Sequence, residues 1–480
     1  MRHLVWLRAD LRCTDNTALH AACADGKAEV ACVYAITPDQ WRAHDTAGCR
    51  IDFELRTLQV LRTELDGLNI PLLLVETTDF ASLPTTLTRL VQEHRIDKVF
   101  LNRQYEVNEL ARDAAVTSAL NTIGVSVQAC DDQCALPPGT VLTADGRFYS
   151  VFTPFKRAWL SRLLPGGPEL LPRPRKRPSR FSESAAIPAQ VKGFASHIAT
   201  DLALKKWPAG EKAALQRLRV FAEKSLRGYA DQRDFPALAG TSTLSPWLAA
   251  GAISVRQCLN TALQTKHDSA AGENGIDTWI SELCWRDFYK HVMYGFPRVC
   301  RYQPFQRETA AVRWRHDPEP FQRWCEGRTG FPIIDAAMRQ LQQLGWMHNR
   351  LRMITAMFLT KDLFIDWRWG EGFFMQHLID GDFSANNGGW QWSASTGNDA
   401  APYFRIFNPV LQSQRFDPEG VFIRHYVPEL RDLDNKQIHA PWLRKQDGLL
   451  LDYPPPMVDH AEAKDFAIAQ FKNLKLASVS

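Results

Sequence analysis

Two segments in the second half of this 480-residue chain set groups capable of chemistry at helical spacing. Trp279, Glu282 and Arg286 fall at i, i+3 and i+7 with Trp285 beside them, so one helix face would carry an aromatic plate, a carboxylate and a guanidinium. A surface salt bridge between Glu282 and Arg286 at i, i+4 explains the same pattern without a ligand. Farther along, Asn349, Arg352 and Met353 share a face, with Arg350 one step round, on a segment otherwise rich in Ile, Met, Phe and Leu. Such amide and guanidinium groups suit a polar ligand in a pocket, and simple solvent exposure is the plainer alternative. Positions 240–254, GTSTLSPWLAAGAIS, gather hydroxyls ahead of a helix start. That arrangement suits a phosphate, although Ser245 ahead of Pro246 would look the same as a plain N-cap.

Tryptophan is the strongest compositional signal. Nine of the fifteen lie between positions 279 and 392, and 380–409 reads DGDFSANNGGWQWSASTGNDAAPYFRIFNP. A dry core would reject the glycines, asparagines and carboxylates that flank these indoles. Stacking on planar ligands and passage of electrons are the two uses that fit.

These residues need a scaffold, and 480 residues make two or three units of about 150. With 45% hydrophobic and 23% charged residues and no uncharged run of eighteen apolar ones, the composition is that of a soluble globular protein. MRHLVWLRADLR meets charge too early for a secretory signal, so a cytoplasmic location is expected. Ten cysteines without a C-x-x-C pair argue against a zinc ribbon, a dithiol centre or an iron–sulfur cluster. A net charge of +4 is mild, so binding a polyanion would require a local basic patch.

Positions 1–130 alternate apolar runs (HLVWLRADL, EVACVYAI, PLLLVE, DKVFLN, VSVQAC) with helical segments, which predicts a Rossmann-like α/β domain with a parallel sheet. Neither G-x-G-x-x-G nor G-x-x-x-x-G-K-[ST] occurs in it, so ordinary dinucleotide binding is not expected there. Positions 131–206 read as an interdomain linker. Its stretch PGGPELLPRPRKRPSR is a solvated connector or a supplementary phosphate contact. From 207 to 480, long amphipathic segments such as AALQRLRVFAEKSLRGYADQ, TWISELCWRDFYKHVMYG and HNRLRMITAMFLTKDLFID predict an all-α domain.

Five motifs in order, WLRADLR, RDFPALAGTSTLSPWLAAG, WISELCWRDFY, GWMHNRLRM and the thirty-residue 380–409 segment, carry a resemblance to the cryptochrome/photolyase family from end to end. The nearest likeness is to the bacterial type that repairs cyclobutane pyrimidine dimers. The resemblance implies an α/β antenna domain followed by an all-α FAD-binding domain. It also implies a light-driven carbon–carbon lyase, in which excited FADH⁻ passes an electron to a dimer flipped out of DNA, the ring splits and the electron returns.

By the same resemblance, Tyr229 and Thr241, Ser242, Thr243, Leu244 and Ser245 hold the phosphates and ribityl chain of FAD. Trp279, Glu282, Arg286, Asn349 and Arg352 line the cofactor, and Asp380, paired with Arg352, reaches the isoalloxazine edge together with Asp382. Asn386 faces flavin N5, where signalling relatives often carry an acid or a cysteine, so the amide favours repair. Trp390 beside the flavin, Trp367 between and Trp314 at the surface match the photoreduction chain. On the substrate side, the resemblance makes Trp285 and Trp392 the stacking walls and Met353 the floor, where relatives acting on (6-4) photoproducts carry histidine. Glu282 and Asn349 bond the base edges, with Glu282 also steadying the dimer radical anion, and Arg233, Arg350 and Arg405 meet phosphates.

His44, Asn108, Glu109, Cys300 and Arg301 match positions that bind a methenyltetrahydrofolate antenna, with Arg301 in place of a lysine; a deazaflavin or an empty cleft are the alternatives. The implied partner is UV-damaged DNA and the implied state a monomer away from membranes. A cryptochrome-type blue-light photoreceptor is the competing reading, and its usual mark is a long C-terminal extension. This chain ends about seventy residues after the FNP motif. A plain flavin oxidoreductase would need a hydride-donor site, for which no dinucleotide fingerprint is present.

Overall fold

A computed structural model describes residues 1–163, 167–178, 181, 183–268, 271–443 and 452–477, so the ends of the basic 165–180 stretch lie outside the described residues. All five apolar runs near the N-terminus form strands: β1 (Arg2–Leu7), β2 (Glu29–Ile36), β3 (Leu72–Glu76), β4 (Lys98–Asn102) and β5 (Ser126–Cys130). They pair in parallel in the order β3-β2-β1-β4-β5. Alternation along each strand feeds two separate apolar layers. Val5, Leu7, Val30 and Cys32 pack on Leu58 and Leu61 of the Gly48–Asp66 helix. On the opposite face, Leu4, Trp6, Ala31 and Val33 meet Leu87 and Val91 of the Leu83–His94 helix and Val116 of the Val107–Thr122 helix. Strand order reverses between β1 and β4, which opens a crevice outside the carboxyl ends of the strands.

The region read as linker is only partly a connector. Phe152–Arg162 is a helix whose Phe152, Phe155 and Trp159 enter the same core as Trp247 and Phe288 of the helical half. Trp159 Nε1 donates to Asp287 at 3.1 Å. Arg177 does not reach outward for phosphate: it is buried, with its guanidinium on the carbonyls of Cys23, Asp25 and Ala28. The basic stretch is thereby stapled to the α/β domain.

From 207 onward the described residues form helices and no named strand. The 211–232 segment is broken into Glu211–Lys224 and Tyr229–Gln232. The Asn349–Met357 helix opens into a π-turn, Phe358–Asp362, in which Lys361 donates to the Ala394 carbonyl and to Ser395. Among the described residues no helix is long and apolar enough to cross a membrane.

Candidate functional site

The Glu273–Gly295 helix carries the first set of expected residues, but its i, i+4 pair does not form. Glu282 instead accepts from Arg233 at 2.6 Å, while Arg286 turns the other way and donates to the Gln133 carbonyl. Trp279 is buried against Phe221, with ring centroids 5.1 Å apart. Half-buried Trp285 stacks on Phe152 at 3.6 Å and 9°, so the linker helix backs one face of this indole and holds it rigid. Nothing in the sequence flagged Phe152, because its segment read as a connector.

The Asn349–Met357 helix divides its polar groups between two directions. Asn349 is exposed, and Arg350 pairs with Asp234 at 2.8 Å and reaches the Met353 sulfur at 3.7 Å. Arg352 points inward and grips Asp380 with two hydrogen bonds, at 2.7 and 3.0 Å. The carboxylate of Asp380 is almost fully buried, and this is the bidentate partner it requires.

Asp382 caps the Phe383–Ala394 helix by accepting from Ala385 N. It also meets Lys290 at 3.1 Å, and Lys290 bonds Glu106 of the α/β domain at 3.0 Å. Ser384 donates to the same Glu106 oxygen at 2.8 Å. Burial works against ionisation of Asp382, yet Lys290 and then Arg286 overcome it and hold the carboxyl well below its usual range. Glu106 is likewise buried and is still held down by Lys290. A cation flanked by two ionised acids thus ties the two domains together at the Asp382 edge. Neither Lys290 nor Glu106 stood out in the sequence, since their partnership spans 184 positions.

Asn386 donates its amide to the Glu371 carbonyl at 3.0 Å, and its neighbour Asn387 donates to the Glu371 side chain at 2.8 Å. Burial raises the Glu371 carboxyl to about 8, so it is protonated at neutral pH. A lone acid within the aromatic run WRWGEGFF was the available signal for it.

In the hydroxyl loop, Arg217 donates to the carbonyls of Ser242 at 2.7 Å and Thr241 at 3.5 Å. Thr243 takes φ +51°, costly for a β-branched residue and found where surrounding structure imposes it. Leu244 precedes the Ser245–Ala250 helix, but Ser245 makes no capping bond; its hydroxyl accepts from Trp346 Nε1 at 3.1 Å. Tyr229 is buried nearby, with the Arg233 guanidinium 5.4 Å from its ring.

Trp390, Trp367 and Trp314 all lie in one apolar cluster. Trp390 rests on Gly370, where an added Cβ would sit 2.0 Å from the indole, one turn after Trp367 on the Trp367–His377 helix. A bridge between Arg315 and Ile365 brings Trp314 alongside. Trp314 is not at the surface as expected: it is 9% exposed, covered by Phe364 and by Phe471 of the His460–Ala477 helix. The outer end of the aromatic series is therefore capped by the C-terminal helix. Trp392 packs loosely on Phe407 at 6.4 Å, and Arg405 is exposed.

A cavity of about 260 Å³ follows the domain junction at the carboxyl ends of β1 and β2. His44, Asn108, Glu109, Cys300 and Arg301 all line it, and Arg286, Lys290 and Asp382 form part of its wall. His44 Nε2 lies 2.9 Å from the Asn108 amide and 2.8 Å from the Gln40 amide. Burial, then Arg50, lowers the His44 pKa, while burial, then Glu106, raises Glu109 to about 7. Cys300 is a half-buried thiol pushed up to about 11 by burial, hence inert.

The donors fit a dinucleotide with a heteroaromatic end. Arg286 offers a cation, Asp382 offers an ionised acceptor, and Arg217 braces the hydroxyl-bearing 241–245 loop. A parallel-sheet domain joined to a helical domain across a cavity lined by charged groups defines a two-domain ligand-binding protein. Residues 3–176 match the family described as DNA photolyase, and residues 279–473 match the FAD binding domain of DNA photolyase. The chain is 48% identical to the deoxyribodipyrimidine photo-lyase of Salmonella typhimurium and 47% identical to that of Escherichia coli, covering 98% of this chain and 98% of each relative. Its fold is similar to a class III photolyase from Agrobacterium tumefaciens (TM-score 0.89, 35% identity, 99% of this chain and 98% of that one). It is also similar to a Synechocystis cryptochrome (TM-score 0.87, 27% identity, 98% and 99%). The chain belongs to the DNA photolyase family.

Proposed function

We propose that this protein is a deoxyribodipyrimidine photo-lyase that uses light to split cyclobutane pyrimidine dimers in DNA. The observation that carries the reading is the pair of ion networks, Asp380–Arg352 and Asp382–Lys290–Glu106, in a chain similar over 98% of its length to deoxyribodipyrimidine photo-lyases. FAD, in its reduced form FADH⁻, supplies a photoexcitable electron donor when bound. Tyr229, Thr241, Ser242, Thr243, Leu244 and Ser245 would hold its phosphates and ribityl chain, and Trp279, Glu282, Arg286, Asn349, Arg352, Asp380, Asp382 and Asn386 would line the rest. Arg217 and Trp346 brace that loop.

Trp285, stiffened by Phe152, and Trp392 give the flipped dimer two apolar faces, with Met353 beneath. Glu282 and Asn349 serve the base edges. Arg233 and Arg350 are held by Glu282 and Asp234, which orients both guanidinia without a phosphate and lowers the entropy cost of meeting one; Arg405 adds an exposed cation. Trp390, Trp367 and Trp314, packed in one apolar cluster, would relay electrons toward the flavin when it is bound, with Trp314 beneath Phe471 as the outermost step. The junction cavity is assigned to a methenyltetrahydrofolate antenna, with neutral His44 and Asn108 bonding its amide edges and Arg301 its acidic tail. The protein acts as a cytoplasmic monomer.

A dark binding experiment followed by illumination tests this reading. The reduced protein should retain a dimer-containing oligonucleotide in preference to its undamaged counterpart and release it under blue light. Equal affinity for both, with flavin bound, would remove the assignment.

A further inference from the structure

Among residues that do not line the cavity, three elements converge on one cluster. Cys13 stands in the loop after β1, Glu64 near the end of the Gly48–Asp66 helix, and Glu211 opens the Glu211–Lys224 helix. Their ligand atoms all lie within 4.8 Å of one another. Cys13 is 1% exposed and Glu211 5%. Glu211 Oε2 accepts from the backbone of Cys13 at 2.9 Å and of Thr14 at 3.3 Å, whereas its Oε1 is buried with no hydrogen-bond partner among the described residues. Native interiors rarely leave a carboxylate oxygen in that state. Among the described residues, the cations acting on Glu64 are Arg173, 3.8 Å from its Oε2 and half exposed, and Lys212. Arg173 serves Glu64, so among the described residues no cation pairs with Glu211.

We propose that Cys13, Glu64 and Glu211 form a binding site for one divalent, borderline-soft metal ion, best matched by Zn²⁺, at the junction of the α/β and helical domains. One thiolate and two carboxylates are zinc ligands, and a water completes the tetrahedron. Sulfur disfavours Ca²⁺ and Mg²⁺, which require more oxygen donors than this cluster has. Ligand atoms around zinc stand roughly 3–4 Å apart, from bond lengths of about 2.0–2.3 Å, so small side-chain rotations close the site. On binding, the Cys13 thiol releases its proton to the buffer and the Zn–S bond forms; no redox change is involved. Two carboxylates and a thiolate against Zn²⁺ leave one negative charge, which Arg173 offsets. The ligands sit at 13, 64 and 211, which is why no cysteine spacing motif announces them.

The test uses the untagged, flavin-containing full chain, stripped with a chelator and dialysed against Zn²⁺. Elemental analysis should find one zinc per chain, and the melting temperature should rise with zinc. Competition against a chromophoric chelator should show affinity falling about 100-fold in Cys13→Ala and about 10-fold in Glu64→Gln, with flavin content unchanged. Cd²⁺ should give a thiolate-to-metal ultraviolet band in the wild type and none in Cys13→Ala. Absence of stoichiometric uptake, or uptake that Cys13→Ala leaves intact, overturns the site. If Cys13→Ala does not fold, the Cd²⁺ band of the wild type and the affinity of Glu64→Gln decide by the same criteria.

Discussion

Replacing Lys290 with Met should cripple the flavin edge in a pH-dependent way. In the wild type, Lys290 lies 3.0 Å from Glu106 and 3.1 Å from Asp382, and all three side chains are at least four-fifths buried. Removing the cation leaves two carboxylates desolvated, and breaking a buried pair of this kind costs about 3–5 kcal/mol. Arg286 and the Ala385 N–H still favour ionised Asp382, so the loss should fall toward the lower end of that range.

Both acids have depressed pKa values in the folded protein, so their contribution is present above the ordinary carboxylate value of about 4 and fades as pH falls. Lys290 is raised above the ordinary lysine value of about 10.4, so its own contribution is constant up to that pH and is lost only as pH climbs through the folded value. In Lys290→Met, burial loses its main opponent at Glu106, where the Ser384 hydrogen bond remains to favour the ionised form, and both acids titrate upward. The deficit should therefore be largest near pH 8 and shrink toward pH 5. Denaturant unfolding across that range, with flavin retention measured in parallel, gives the answer, and Lys290→Arg should restore most of the stability. A deficit independent of pH, or wild-type stability in Lys290→Met, would refute the reasoning.

Three further outcomes are expected. Glu371→Gln should match the wild type near pH 4 and exceed it by several kcal/mol at pH 8, because a buried acid raised to about 8 loses stability once its unfolded form ionises; thermal melts at both pH values check this. Trp285→Ala should weaken binding to dimer-containing DNA by about 1–3 kcal/mol of stacking, with FAD content unchanged, and Phe152→Ala should produce a smaller loss in the same titration. Gly370→Ala drives a methyl group into Trp390, so it should cost about 1–3 kcal/mol in unfolding and slow flavin photoreduction measured by absorbance.

Much of the scaffold was legible in the chain. The five strands announced themselves as Val-, Leu- and Ile-rich runs, and the helical segments expected between them include the Gly48–Asp66 and Leu83–His94 helices. The pairing of Arg352 with Asp380 joined two motifs that each looked chemical alone. What escaped was set by distant partners or by covering layers. Glu282 meets Arg233, forty-nine positions away, while Arg286 donates to the Gln133 carbonyl, 153 positions away. Glu106 and Ser384 are separated by 278 positions, so no window along the chain contains their contact. Trp314 carries the polar flanks of a surface residue, yet Phe471 arrives from the C-terminal helix to cover it. Phe152 was hidden by prolines and basic residues that made its neighbourhood look like a tether.

Light-dependent repair tests the central claim most directly. Chemically reduced, flavin-containing protein is mixed with ultraviolet-damaged oligothymidine, illuminated with blue light, and followed at the thymine absorption band beside a dark control. Recovery of thymine absorbance in the light alone is the predicted result. No recovery, with FAD present and photoreducible, would contradict the account and leave a photoreceptor built on the same fold.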